Sequence, residues 1–193
     1  KIDDIDYFDL YSCFPSAVEI ACKEMGIAYN DSRGLTVTGG LPFFGGPGNN
    51  YSLHAIASML PLLRADPTRL GLVTANGGYL SKHATGIYSA TPWESKWQRE
   101  NPSSYQPEID EMPSPSFSET PNGEGTIETY TVCFNKGVAE RGIVIGRLAA
   151  NGERFVANTP SDSALLQAMT QQEQVGRPGT VDSLNGMNTF IPL

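Results

Sequence analysis

Leu35-Thr36-Val37-Thr38-Gly39-Gly40-Leu41-Pro42-Phe43-Phe44-Gly45-Gly46-Pro47-Gly48-Asn49-Asn50-Tyr51 is the stretch on which the fold of this chain turns. Its first four residues are β-branched or apolar and predict a short strand. The glycines and prolines that follow predict a loop, and Asn50 is placed to cap a helix carrying Leu53, Ile56, Ala57 and Leu60 inward. Pro61 removes a backbone donor, so that helix is expected to kink or end near it. Upstream, residues 5–14 alternate and predict a strand ending near Ser12. Ser16-Ala17-Val18-Glu19 fits a capping box, and Gly26 supplies a stop after a helix reaching Met25. Downstream, residues 71–74 and 85–90 predict two more strands. Strands alternating with helices make residues 1–92 an α/β layered unit.

Residues 93–122 change character, with prolines set among Ser, Glu and Asn. This segment is expected to be a linker or an extended tether, flanked by Trp93 and Trp97. The tryptophans pin it to the sheet or stack on an adenine. Residues 123–193 form a second, small β-rich unit, sheet or barrel, with one helix. Residues 126–134, 142–150, 153–158 and 175–181 supply strand or turn-strand signals. Asn151-Gly152 predicts a type I′ hairpin. Leu165, Leu166 and Met169 share the face of the one helix.

The 193 residues carry a formal net charge of −8. An acidic surface argues against a nucleic-acid partner, because phosphate-backbone binding needs clustered Lys and Arg. It leaves room for one local basic spot. Cys13, Cys22 and Cys133 match no zinc spacing, and no metal site is expected. Reduced thiols point to a cytoplasmic protein. No apolar run approaches the roughly 20 residues of a membrane span. The start, Lys1-Ile2-Asp3, lacks Met and runs straight into a strand-like segment, which suggests a chain taken from something longer.

Three stretches carry the chemical signal. They are Asp9-Leu10-Tyr11-Ser12-Cys13-Phe14-Pro15-Ser16-Ala17, then Gly45-Gly46-Pro47-Gly48-Asn49-Asn50-Tyr51, then Ala75-Asn76-Gly77-Gly78-Tyr79. A glycine loop opening a helix can aim backbone amides at an anion or a polarised carbonyl, although such loops also serve tight packing. In this order the three stretches resemble the C-terminal half of the thiolase superfamily, over residues 5–92. The run 34–51 is most similar to bacterial thiolase-like acetyl-CoA acetyltransferase homologues, related to sterol-carrier-type thiolases. Residues 123–193 resemble the additional C-terminal domain that such proteins carry.

The resemblance implies a layered thiolase-like αβα half-fold and an acyl-CoA substrate, with no resident cofactor. It implies covalent acyl transfer through a cysteine, with a histidine and a second cysteine as base and acid. The family's Asn-Glu-Ala-Phe, or His-Asp-Cys-Phe, matches Tyr11-Ser12-Cys13-Phe14, so Tyr11 takes the place of the water-orienting residue. Its Gly-His-Pro matches Gly45-Gly46-Pro47, so the histidine position is Gly46. Its second cysteine falls on Ala75 or Asn76. The nucleophilic cysteine belongs to the family's N-terminal half. A missing N-terminal half, in the same protein or a separate chain, is therefore an implied partner, and an oligomer is possible.

His83 lies near the Asn76 loop and reads either as a replacement acid-base group or as a loop hydrogen-bonding residue. Lys82 reads as a solvated lysine or a phosphate contact. His54 reads as a packed helical residue. Cys13 is either near the site or an inert buried thiol. Tyr11 donates a hydrogen bond at the site or fills its pocket. The expected catalytic set is Tyr11, Cys13 and His83. The expected substrate-binding set is Gly45, Gly46, Asn49, Asn50, Asn76, Gly77 and Gly78. The rival to a divergent acyltransferase is a non-catalytic acyl-CoA-binding or scaffold protein whose C-terminal domain mediates interactions.

Overall fold

A computed structural model of the chain describes residues 1–96 and 98–193. Trp97, expected beside the linker, lies outside the described residues. The chain divides into two units, Lys1–Arg99 and Glu100–Leu193.

The first unit contains β1 (Tyr7–Asp9), α1 (Pro15–Met25), a single helical turn α2 (Leu41–Phe44), α3 (Tyr51–Ala65), β2 (Gly71–Gly77) and β3 (Lys82–Tyr88). The sheet order is β1-β2-β3, parallel at the first pair and antiparallel at the second. Side chains alternate across β1, so its two faces meet two different helices. Phe8 and Leu10 join Leu72 and Cys22 of α1 in one core. Tyr7 joins Val73 and Ala55, Met59 and Leu63 of α3 in another. The result is a helix on each face of the sheet, the layered α/β arrangement expected from the sequence.

Local details depart from expectation. α1 starts at Pro15 with Phe14 at its N-cap and no side-chain cap bond. The box at residues 16–19 does not form, because proline at the first helical position needs no capped amide. Gly26 does close the helix, at φ 68°. Residues 35–38 form no strand. α3 buries Tyr51, Ala55, Met59 and Leu63, while Leu53 is 59% exposed. Ala57 and Leu60 are also exposed, and only Ile56 of the expected inward set packs on the core. Pro61 lies inside α3, which continues to Ala65. Trp93, expected as an anchor, is 73% exposed.

The second unit contains α4 (Pro102–Asp110), β4 (Gly123–Asn135), β5 (Val138–Leu148), β6 (Arg154–Asn158), α5 (Ser163–Gln171), β7 (Pro178–Leu184) and β8 (Met187–Pro192). The strands close a barrel in the order β4-β5-β6-β8-β7. Its core gathers Ile127, Val144, Phe155, Val181 and Phe190, sealed by Leu166 and Met169 of α5. Within the segment expected to be extended, α4 forms because Asn101 caps it, accepting from the Ser103 amide at 3.1 Å, and Pro102 opens it.

The tight hairpins sit elsewhere than expected. Lys136-Gly137 and Asn185-Gly186 both have two consecutive positive φ values, between β4 and β5 and between β7 and β8. These are the two-residue turns whose twist suits a hairpin. Asn151 is not left-handed; its Oδ1 accepts from the Glu153 amide at 3.0 Å and the loop is longer.

On the barrel surface Glu128 accepts from Arg154 Nε at 2.6 Å and from Arg147 Nη2 at 3.0 Å. The two guanidiniums, Arg154 foremost, hold its carboxyl down at about 2. A depressed acid stabilises the fold above its unfolded value of 4.5 and loses that contribution as the pH falls through its folded value. The melting temperature of the barrel is expected to decline between pH 4.5 and about 2. Glu128→Gln removes that part of the decline, as acid titration followed by circular dichroism will show. Among the described residues no helix is long and apolar enough to cross a membrane.

Candidate functional site

The chain leaving β1 ties the first unit's loops together residue by residue. The Tyr11 amide donates to Thr74 Oγ1 of β2 at 2.8 Å. Ser12 Oγ accepts from the Leu41 amide, in the glycine-rich loop, at 2.9 Å. Cys13 Sγ lies 3.6 Å from Asn76 Oδ1 at the far end of β2. Cys13 thus touches the stretch 75–79, while Ser12 bonds the run 34–51 ahead of Gly45. The Tyr11 ring meets the Tyr51 ring edge-on at 5.4 Å, and Phe44 of the loop meets Tyr51 at 6.2 Å.

Beneath this surface lies a fully buried carboxylate, Asp9. Its Oδ2 accepts from Thr36 Oγ1 at 2.9 Å, from the Val37 and Thr38 amides at 3.0 Å each, and from Thr38 Oγ1 at 2.9 Å. Its Oδ1 accepts from the Tyr51 hydroxyl at 2.9 Å. This is why residues 35–38 form no strand: the carboxylate takes amides that a ladder would have used. Burial pushes the Tyr51 phenol up, so the group stays protonated and donates. Asp9, Tyr51, Thr36 and Thr38 were missed in the sequence. The available signal was an acid between Phe8 and Leu10 in an otherwise apolar strand, opposite a Thr-x-Thr pair.

Tyr11, Asn76 and His83 line one cleft of about 190 Å³ between α1 and the β2–β3 pair. His83 sits on β3 directly opposite Asn76, and its Nε2 is 2.8 Å from the Leu80 carbonyl. Cys13 lines a separate recess of about 290 Å³ with Gly39 and Gly40. Gly45, Gly46 and Asn49 lie exposed on the loop and line neither hollow. Asn50 makes no cap bond; its Nδ2 donates to His54 Nε2 at 3.0 Å. Gly77 ends β2, and Gly78 takes a left-handed turn whose carbonyl accepts from Ser81 Oγ at 2.6 Å.

Most of the loop's amides are already committed. Those of Gly39, Gly40 and Leu41 go to Thr36 Oγ1, Thr38 Oγ1 and Ser12 Oγ. Those of Phe44, Gly45, Gly48 and Asn50 go to carbonyls within the loop. The Gly46 amide has no partner among the described residues. Cys22 is fully buried, and burial pushes its thiol up, which suits an inert packed thiol. Among the described residues no group of three or more His, Cys, Asp or Glu is arranged to hold a metal.

A solved structure, described as a monomeric SCP2-thiolase like protein type 1 from Mycobacterium smegmatis, superposes on 98% of this chain at 44% identity and a TM-score of 0.87. Over nearly its whole length, this chain matches part of a thiolase-like protein. It spans 41% of the length of that solved chain. Residues 104–185 match the family of the thiolase-like protein type 1 additional C-terminal domain. That match covers most of the barrel and begins inside α4. Comparison with the curated proteins finds no match. Tyr11 and Asn76 share one cleft, and Tyr11 lies beside Tyr51 and Asn76 against Cys13, whereas Gly46 sits on an exposed loop outside it.

Proposed function

We propose that this chain is the C-terminal part of a cytoplasmic thiolase-like protein that handles acyl-CoA, an acyltransferase homologue with a divergent site. One observation carries the reading: residues 11–13 reach both other stretches, the Tyr11 ring meeting Tyr51 and Cys13 lying against Asn76. Tyr11, Cys13 and His83 are the candidate reacting or orienting groups. Gly45, Gly46, Asn49, Asn50, Asn76, Gly77 and Gly78 are the candidate thioester-binding residues. Residues 1–92 supply the thiolase-like part and pack against an N-terminal half that carries the nucleophile. Residues 123–193 are the additional domain, joined through 93–122.

The test is acyl exchange and thiolysis of acetoacetyl-CoA by the full-length protein. Catalysis that falls at least about tenfold in His83→Ala supports an acid-base role for His83. Gly46→His restores the side chain that the family uses. A Cβ at Gly46 meets nothing nearer than Leu41 Cδ2 at 3.9 Å and the residue has ordinary φ, so the protein is expected to fold and to gain exchange activity.

A second reading is favoured by a specific observation. Gly46 offers no proton acceptor, and the loop amides of Gly39, Gly40 and Leu41 are held internally. A non-catalytic acyl-CoA-binding protein needs neither. Saturable acetyl-CoA binding without turnover, unchanged in His83→Ala and Gly46→His, supports this reading and removes the enzymatic one.

A further inference from the structure

Asp9 is fully buried, yet its carboxylate contacts the hydroxyls of Thr36, Thr38 and Tyr51 at the root of the glycine-rich loop. An ionised carboxylate accepts and cannot donate. Thr36 and Thr38 each have one hydroxyl proton, and each hydroxyl lies 2.9 Å from Asp9 Oδ2. Thr38 Oγ1 also lies 2.6 Å from the Tyr51 hydroxyl, so Thr38, Tyr51 and Asp9 form one cluster in which two hydroxyl protons serve three contacts, and lone pairs of Thr36 Oγ1 and Thr38 Oγ1 are left facing the loop. There they accept from the Gly39 amide at 3.0 Å and the Gly40 amide at 3.1 Å. The order carboxylate, hydroxyl, amide therefore runs outward through two layers. Gly39 and Gly40 have φ of 91° and 85°, so the backbone turns sharply at that point and throws residues 41–48 outward. From the other side the Tyr51 hydroxyl on Asp9 Oδ1 fixes the start of α3, where the loop ends.

We propose that Asp9 is the positioning residue of the glycine-rich loop, orienting Thr36, Thr38 and Tyr51 so that residues 45–48, with the unpaired Gly46 amide, are presented to the thioester ligand. This rests on the acyl-CoA reading above. Asp9 itself touches no ligand.

The experiment uses the full-length protein and three variants. Thr36→Val keeps the side-chain shape and removes one relay. Asp9→Asn keeps an acceptor oxygen toward Thr36 and Thr38, and its amide nitrogen can donate to the Tyr51 hydroxyl. Asp9→Leu keeps bulk and removes both acceptors. Two quantities are read: amide hydrogen exchange of residues 37–41, and the dissociation constant for acetyl-CoA by calorimetry. Thr36→Val is expected to speed exchange at Gly39 and to weaken acetyl-CoA about tenfold, the size of one lost charge-linked hydrogen bond. Asp9→Asn is expected to stay within about threefold of wild type, as a conservative rescue of the acceptor. Asp9→Leu is expected to lose exchange protection throughout residues 37–41 and to abolish measurable binding.

A folded Thr36→Val with faster exchange but unchanged acetyl-CoA affinity overturns the proposal, as does exchange unchanged in both Thr36→Val and Asp9→Leu. Should Asp9→Leu fail to fold, Thr36→Val and Asp9→Asn decide the matter alone. Wild-type protein that binds no acetyl-CoA defeats the acyl-CoA reading. In that case the exchange data by themselves uphold or reject Asp9 as the residue that sets the loop.

Discussion

Phe155→Ala is expected to destabilise the Glu100–Leu193 unit by about 3–5 kcal/mol, the range for emptying a buried aromatic site. Phe155 is fully buried, with its ring centroid 5.8 Å from that of Phe190. Its ring lies over Gly125 of β4 and Gly146 of β5, two positions without side chains. A Cβ built on Gly146 would fall 2.3 Å from Phe155 Cζ, and one on Gly125 3.0 Å from Phe155 Cε1. The ring fills the space a side chain would take at both glycines, so neither position has a side chain that could relax into the hole. The cost therefore belongs at the upper end of the range. Urea unfolding of the full chain read by amide hydrogen exchange separates the units, because protection of α3 follows the first and protection of β5 the second. The expected result is a lower urea midpoint for β5 with an unchanged midpoint for α3. Coincident shifts of both midpoints would show that the units unfold together.

Tyr51→Ala is expected to destabilise the Lys1–Arg99 unit by a similar amount, about 3–5 kcal/mol. The ring is fully buried, receives the edges of Tyr11 and Phe44, and opens α3. Its removal leaves a cavity and an Asp9 oxygen without its donor. Tyr51→Phe separates the two effects. It keeps the ring and loses only the hydroxyl, which contacts both Asp9 Oδ1 and Thr38 Oγ1, and is expected to cost about 1–3 kcal/mol, the penalty of leaving a buried acceptor without its donor. The urea midpoint of α3 hydrogen exchange measures both. A Tyr51→Phe as damaging as Tyr51→Ala would place the whole role of the residue in its hydroxyl.

The sequence made some elements legible for reasons that are local. Gly26 ends α1 in a left-handed cap, as a glycine after a helical run should. Leu166 and Met169 turn inward on α5 at helical spacing. Strands β4 to β7 overlap the runs read at 126–134, 142–150, 153–158 and 175–181, whereas β8 (Met187–Pro192) was not read. Elements decided by distant partners were not legible. α3 turned its Tyr51, Ala55, Met59, Leu63 row inward because Asp9, 42 residues earlier, holds the hydroxyl at its first position. Residues 35–38 have strand composition, but their amides answer to the same carboxylate. The hairpin signal Asn185-Gly186 stood in the sequence unread, while Asn151-Gly152 looked identical and formed a different loop. The dipeptide alone does not set how many residues the flanking strands leave for the turn.

For the candidate site the division is similar. Motif order alone pointed to Tyr11, the glycine-rich loop and the Asn76 turn as one region of a thiolase-like chain. Only the folded chain decided how they meet: Ser12 on Leu41, Cys13 on Asn76, and His83 across from Asn76. The physical reason is range. Propensity, caps and apolar periodicity act over a few residues and are written into the chain itself. The direction of a hydroxyl, the free or committed state of an amide and the facing of two side chains depend on groups brought together from far apart, and exist only once the sheet has paired.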